Sequence, residues 1–343
     1  MPSHPLIELT LARFREFLRE PEAVFWSFAF PIIMTCALGV AFRTGGDTPI
    51  IVGVVKGGDG DRIAATLGQA GGFTVRSIES DDVERAVRDG RAAVVVMGNS
   101  PPSYHYDEAR AESQAARLAV DEALQRAAGR ADAFVAERRP VAEIGSRYID
   151  WLVPGLLGMG IMSTGMWSVT FSIVTARTRK LLKRLVATPM SRTHYLGSFV
   201  LSRLVFLTIE AVVLVGFSWL AFDVIVRGSL GALALVCLVG AMCFGGMALL
   251  VSSRVRTIEA ASGLLNLVML PMWVLSGVFF ASSNFPDAIQ PVIQALPLTA
   301  LIDAQRAIVN EGLSLAAVAG ELAVLLGWGL TSFVLALKLF RWQ

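Results

Sequence analysis

The stretch "SIVTARTRKLLKRLVATPMSRTHYLGSFV", residues 172–200, sets Arg177, Arg179, Lys180, Lys183, Arg184 and Arg192 between two long apolar runs. Those runs, roughly 151–175 and 196–222, each exceed the about 20 mostly apolar residues that a helix needs to cross a bilayer. Cations cannot be left in hydrocarbon, so the stretch reads as a loop joining two membrane helices. Working outward, runs at 23–42, 229–252, 259–281 and 316–340 are also long enough. The expected fold is an α-helical polytopic membrane protein with six transmembrane helices.

Composition agrees. Hydrophobic residues make 54% of the chain and charged residues 17%, against about 45–50% and about 25% in soluble domains. Mean hydropathy is +0.60. A net charge of +2 is too balanced for a nucleic-acid binder. The first run follows a segment of mixed charge and precedes no small-residue cleavage site, so it reads as a permanent anchor. Cys36, Cys237 and Cys243 all lie in apolar runs, where cysteine serves as a small apolar filler.

Basic residues in short loops set orientation. Arg13, Arg15 and Arg19 precede the first run, the cationic stretch follows the second, and Arg254 and Arg256 follow the fourth. Lys338 and Arg341 close the chain, while the opposite side offers only Arg227 and Arg306. Both termini and the cationic stretch are therefore expected in the cytoplasm.

Residues 43–149 form a polar insert. "IIVGVV" (50–55), "FTVRSI" (73–78) and "AAVVVM" (92–97) read as short strands. Between and after them lie helical patterns, with Asp81 as N-cap, Glu84 three residues on, Gly90 as a stop, and a longer helix over 111–129. Alternation of this kind predicts a small α/β domain, placed outside the cell by the orientation above. The "KGGDGD" turn (56–61) sits where glycines can cradle a phosphate, although a solvated tight turn accounts for it more simply.

The absent motifs narrow function. Lys56, Lys180, Lys183 and Lys338 are followed by Gly, Leu, Arg and Leu, so no GK[ST] phosphate loop occurs. His4, His105 and His194 are scattered, and neither HExxH nor GxSxG is present. An intramembrane enzyme would need paired acids or histidines that the chain lacks. Glu210 is the acid deep within a run, where insertion scales charge about 2.5–3.5 kcal/mol. It reads either as a pathway or proton-relay residue, or as a carboxylate bonded to neighbouring helices or simply protonated.

Two amphipathic segments remain. Before the first span, Ile7, Leu11, Phe14 and Leu18 form one stripe, expected to lie in the membrane interface or on a partner. In the cationic stretch, Leu181, Leu182 and Leu185 form an apolar patch rimmed by Arg179, Lys180, Lys183 and Arg184, and Pro189 ends the helix. An apolar centre with a charged rim suits protein docking. A basic helix lying on anionic lipid explains the same residues.

"TRKLLKRLVATPMSRTHYLGSFVLSR" resembles the intracellular loop of type-2 ABC-transporter permeases. "REPEAVFWSFAFPIIMTCALGVAF" is similar to that family's interfacial helix and first span. "LPMWVLSGVFFASSNFPDAIQPVIQALPLTALIDAQRAIVNEG" is similar to its fifth span and the segment that dips back from outside. The outer insert fits a subgroup with a large extracytoplasmic domain.

The resemblance implies the permease subunit of an ABC exporter in a bacterial cytoplasmic membrane. It would pair with a second permease copy and with separate ATP-binding subunits that hold ATP and Mg, while this chain binds no cofactor or metal. The organisation implied is an interfacial helix (1–22), a first span (23–42), the outer domain (43–149) and five more spans (150–343). Within the last lie a coupling loop (176–195) and a re-entrant segment (285–312). Arg177 to Ala187 would contact the ATPase, anchored by Leu181, Leu182 and Leu185. Family cavities are lined by spans two and five, which here offer Ser163, Thr164, Met166 and Trp167, and Asn266, Met269, Trp273 and Ser276. Helix packing is the commoner use of such residues. The competing class is a membrane-anchored sensor whose outer α/β domain binds a ligand.

Overall fold

The computed structural model describes residues 21–42, 49–131, 147–178 and 192–339, with scattered positions before residue 21. The chain divides into two compact units, residues 45–141 and the remainder.

In the larger unit, Pro21–Val24, Phe25–Ala29 and Phe30–Ala41 run on as one helix, α1. Its middle segment is a π-turn in which the Phe30 N–H donates to Phe25 O, five residues back. Pro31 supplies the cause: it has no N–H, and its ring crowds the carbonyl one turn earlier, so the helix widens there. The apolar part, Phe25–Ala41, is shorter than the other spans. The continuous helix is about 30 Å long, enough for the hydrocarbon core.

Five helices are long and apolar enough to cross a membrane by themselves. They are α5 (Tyr148–Thr178), α6 (Arg192–Phe222, apolar from Leu201), α7 (Leu230–Ser252), α8 (Ile258–Leu275) and α11 (Ala319–Leu339). The Ser229 and Thr257 hydroxyls accept from Ala232 N and Ala260 N and so cap α7 and α8. The helix expected to run to residue 281 stops at Leu275, because Gly277 takes a φ of +75° and turns the chain. Helix α7 packs on α11 with backbones nearly touching: a Cβ on Gly246 would lie 2.8 Å from Gly329 O.

The segment expected to dip back forms two helices, α9 (Gln290–Ala295) and α10 (Pro297–Val309), with a bend of 83° at the break between them. Helix α10 is buried along most of its length, including Thr299 and Gln305. Irregular backbone survives at membrane depth only when covered by protein in this way. Arg306 fastens it. Its Nη2 donates to Gly277 O (2.6 Å) and Trp151 O (3.3 Å), and its guanidinium lies 3.8 Å from the Trp151 ring centroid. Asn310 donates to Asp150 O, and the Tyr148 hydroxyl to Phe279 O. The start of α5, the turn after α8 and the end of α10 are thereby clasped together.

The smaller unit is an α/β sheet of order β2-β1-β3-β4, with β1 (Ile50–Val55), β2 (Phe73–Ile78) and β3 (Val94–Met97) parallel. Strand β4 (Ser103–Tyr106) runs antiparallel to β3, with Val95 opposite His105. Its polar, aromatic sequence was not read as a strand. On one face, α2 (Gly60–Ala70) and α4 (Ala111–Ala127) close a core of Val52, Val54, Ile63, Leu67, Val94, Val96 and Val120. On the other, α3 (Val83–Arg88) covers Val55, Ile78 and Val95. Asp81 is not an N-cap: it lies in a 3₁₀ turn, Ser80–Asp82, while neighbouring Asp82 pairs with Arg91 at 2.7 Å. In the "KGGDGD" turn, Asp59 N donates to Gly98 O and Gly60 N to Gly57 O, so those amides are committed within the chain.

Burial, and then the hydrogen bond its hydroxyl donates to Asp121 Oδ1 (3.0 Å), push the Tyr104 phenol up to about 12. A raised phenol contributes stability that is complete below about pH 10 and lost as pH rises toward 12. Tyr104→Phe should remove the step near pH 12 from the chain's phenolate absorbance titration. An unchanged titration would mean the hydroxyl is not held by Asp121.

Candidate functional site

Helix α5 is the spine of the larger unit, buried on nearly every side from Leu152 to Met166, with α6, α7, α8 and α10 packed around it. Its sequence suits this position, because glycines and methionines present little obstruction all round the helix. The residues considered as pathway lining fall into two groups. Met166, Met269 and Ser276 are buried within the chain's own packing. Ser163 and Thr164 are half-buried and bond back to their own helix, donating to Met159 O (2.7 Å) and Gly160 O (2.8 Å). Trp167 stacks on Phe171 with centroids 5.0 Å apart, and Trp273 is half-buried against the core. Asn266 alone among them is exposed, on a face of α8 shared with Leu267 (70% exposed) and Val274 (61%). A carboxamide at mid-span needs a partner in place of lipid, so this face is one that a neighbour or an aqueous cavity must cover.

Glu210 projects from α6 against α5 and is 4% exposed. Both its oxygens lie within 3.4 Å of the Thr164 hydroxyl, which has a single proton and already sits closer to Gly160 O. A side chain on Gly160 would overlap the Glu210 carboxylate, so the glycine is what admits the charge. Seven residues earlier on α6 lies Arg203, whose Nη2 donates to Ile161 O on α5 at 3.0 Å. A Cβ on Gly165 would lie 3.5 Å from that same nitrogen. Arg203 and Glu210 thus lie on one face of α6 toward α5, and Gly160 leaves room for the Glu210 carboxyl. Glu210 therefore has a polar contact on the neighbouring helix in Thr164.

Arg203, Gly160 and Gly165 had escaped the sequence reading. The signal was available: Arg203 and Glu210 are seven residues apart, two turns on one helical face, and the facing run "GLLGMGIMSTG" is rich in glycine.

At the other end of α5, Arg177 Nη1 donates to Ser252 O (3.0 Å) and to Val255 O, closing over the last turn of α7. Arg179, Lys180, Leu181, Leu182, Lys183, Arg184, Leu185 and Pro189 lie outside the described residues. Before the first span, Leu11, Phe14 and Leu18 are helical, and Phe14 stacks on Phe206 of α6 with centroids 5.3 Å apart. Part of that apolar stripe therefore packs on protein. Among the described residues no cluster of His, Cys, Asp and Glu is arranged to hold a metal.

A family model for the ABC-2 family transporter protein matches residues 22–338. No curated protein matches the chain.

Gly160→Ala sets a methyl against the end of the Glu210 side chain, which must shift to make room. Overpacking of this kind costs about 1–3 kcal/mol. Thermal unfolding in detergent should show the loss, whereas Gly216→Ala, at an unobstructed position on α6, should leave stability near wild type.

Proposed function

This chain belongs to the ABC-2 transporter family, so it is a multi-pass membrane transporter component and not itself a catalytic enzyme, and we propose that it is the permease half of an ATP-driven exporter. A separate ATP-binding subunit docks on the cationic stretch, holding the ATP and Mg that power transport. A second permease copy completes the pathway. Both termini and the stretch lie on the cytoplasmic side of a bacterial inner membrane, and the α/β unit lies outside.

The observation that carries the docking reading is the length of the two helices beside the stretch. Helices α5 and α6 have 31 residues each, about 46 Å apiece, against a hydrocarbon core of about 30 Å. The surplus on α6 begins with the polar "RTHY" (192–195), so the helix pair runs past the lipid at the stretch. A soluble subunit reaches a stretch joined to such helix ends, and acyl chains do not. That favours docking over a helix lying on lipid.

The exposed Asn266 face of α8 supports the second copy, since joining two such faces would bring the carboxamides out of lipid and beside a shared cavity. In the cycle proposed, ATP closes its subunits, the docked stretches approach each other, and the cavity turns from inward- to outward-facing. The free energy is ATP's differential affinity for the two states. The bent pair α9–α10, clasped by Arg306 to α5 and to the turn after α8, forms the outer gate.

Leu181→Asp combined with Leu185→Asp should abolish co-purification of the ATP-binding subunit while membrane insertion persists. Complex recovered at wild-type yield would remove the docking reading.

A further inference from the structure

Strand β4, "SYHY" (103–106), divides its side chains between the two faces of the sheet. Tyr104 and Tyr106 turn toward α4, where Tyr104 donates to Asp121 and the Arg117 guanidinium lies over the Tyr106 ring. Residues directly opposite each other share a face, so His105, opposite Val95, turns toward α3. Helix α3 has only six residues and covers Val55, Ile78 and Val95, while His105 stays exposed beyond it. A cavity of about 520 Å³ lies between α3 and β4, within the about 300–1,000 Å³ of small-molecule sites.

We infer that this cavity is a binding site for a short peptide with free termini. Asp81 and Glu84 would hold its ammonium end, and Arg85, Arg88 and His105 its carboxylate end. The inference concerns the α/β unit alone and goes beyond the transport reading, requiring neither the ATP-binding subunit nor a second copy.

Charge is the first support. All five side chains line the cavity and are exposed. Asp81 and Arg85 stand four residues apart, as do Glu84 and Arg88, the spacing at which opposite charges meet on a helix. Among the described residues neither couple closes into an ion pair, and Arg88 approaches the adjacent Asp89 only to 3.9 Å. Acids therefore collect at the head of α3 and bases toward its foot, about one turn or 5.4 Å apart. Two or three extended residues, about 7–10 Å, bridge the two sets. Buried Val83 and half-buried Met97 supply an apolar floor for the side chains of such a peptide. Among the described residues no cluster of His, Cys, Asp and Glu suits a metal, so His105 is left to bind an organic group.

Rigidity and position are the second and third supports. Arg91 pairs with Asp82 at the head of α3 (2.7 Å), and Arg110 donates to Val87 O (3.3 Å) and Arg88 O (2.9 Å) at its foot. The wall is thus fixed before a ligand arrives, which lowers the ordering cost of binding. In open parallel sheets, ligands lie outside the carboxyl ends of the strands, where the strand order reverses. Here it reverses at β1, and Ser80, just past the end of β2, and Met97, the last residue of β3, both line the cavity.

The test uses the full chain in lipid nanodiscs and trialanine as the probe, followed by titration calorimetry. Trialanine should bind. Acetylating its amino end or amidating its carboxyl end should each weaken binding about tenfold or more, the loss expected for one charge-assisted bond. Arg85→Gln with Arg88→Gln should abolish the preference for the free carboxylate, and Asp81→Asn with Glu84→Gln the preference for the free amine. In the unaltered chain, trialanine should also slow modification of His105 by diethyl pyrocarbonate, read by mass spectrometry, while His4 and His194 react as before. That measurement decides the matter even where a variant fails to fold. Absence of binding at millimolar trialanine, or unchanged modification of His105, overturns the site. Equal affinity for the acetylated form would mark an anion site and overturn the peptide assignment.

Discussion

A charged or hydrogen-bonding group at membrane depth must find its partner in protein, because the hydrocarbon offers none. The larger unit is arranged around that constraint. Glu210 and Arg203 face inward onto α5, Thr164 and Ser163 return their hydroxyls to their own helix, and Gln305 is wholly buried with its amide donating to Cys237 Sγ (3.4 Å). The polar groups collect on the faces that surround α5, and the large apolar side chains of α6, α8 and α11 face outward. Asn266 stands apart from this order as an exposed carboxamide on α8.

The two ends of α5 are fastened by different means. At the end holding Trp151, a clasp of Arg306, Asn310 and Tyr148 binds three segments through backbone carbonyls and an aromatic face. At the end holding Arg177, one guanidinium closes over the carbonyls that finish α7. Arginine serves at both because its planar fork reaches several carbonyls at once and keeps its charge when partly buried. Between these ends α6 meets α5 through the bond from Arg203 to Ile161 O and the contact of Glu210 with the Thr164 hydroxyl.

The smaller unit obeys the rules of a soluble domain. Its alternating valines separate into two cores on opposite faces of the sheet, and its charged residues form exposed pairs such as Arg126 with Glu122 and Arg91 with Asp82. Exposed pairs of this kind contribute little, about 0–1 kcal/mol each, so the unit is held chiefly by its valine and isoleucine faces. Its parallel order β2-β1-β3 requires the crossover helices α2 and α3 that the strand-helix alternation had implied.

Much was legible in the residues alone, and the reason is local. Twenty apolar residues in succession, six cations between two such runs, and valines alternating before a glycine turn each report a physical state set by near neighbours in the chain. Five long apolar helices and three of the four strands followed from them. Strand β4 did not, because "SYHY" is a strand only by pairing with β3. Asp81 was misread as a cap because the choice between it and Asp82, and the role of each, was settled by Arg91 arriving from the next loop. Which lining residues turn inward, that Gly160 admits Glu210, and that Arg306 reaches Gly277 were decided only when helices distant in sequence were brought together. Periodicity says that a side chain has a face; what occupies that face is a property of the packed molecule.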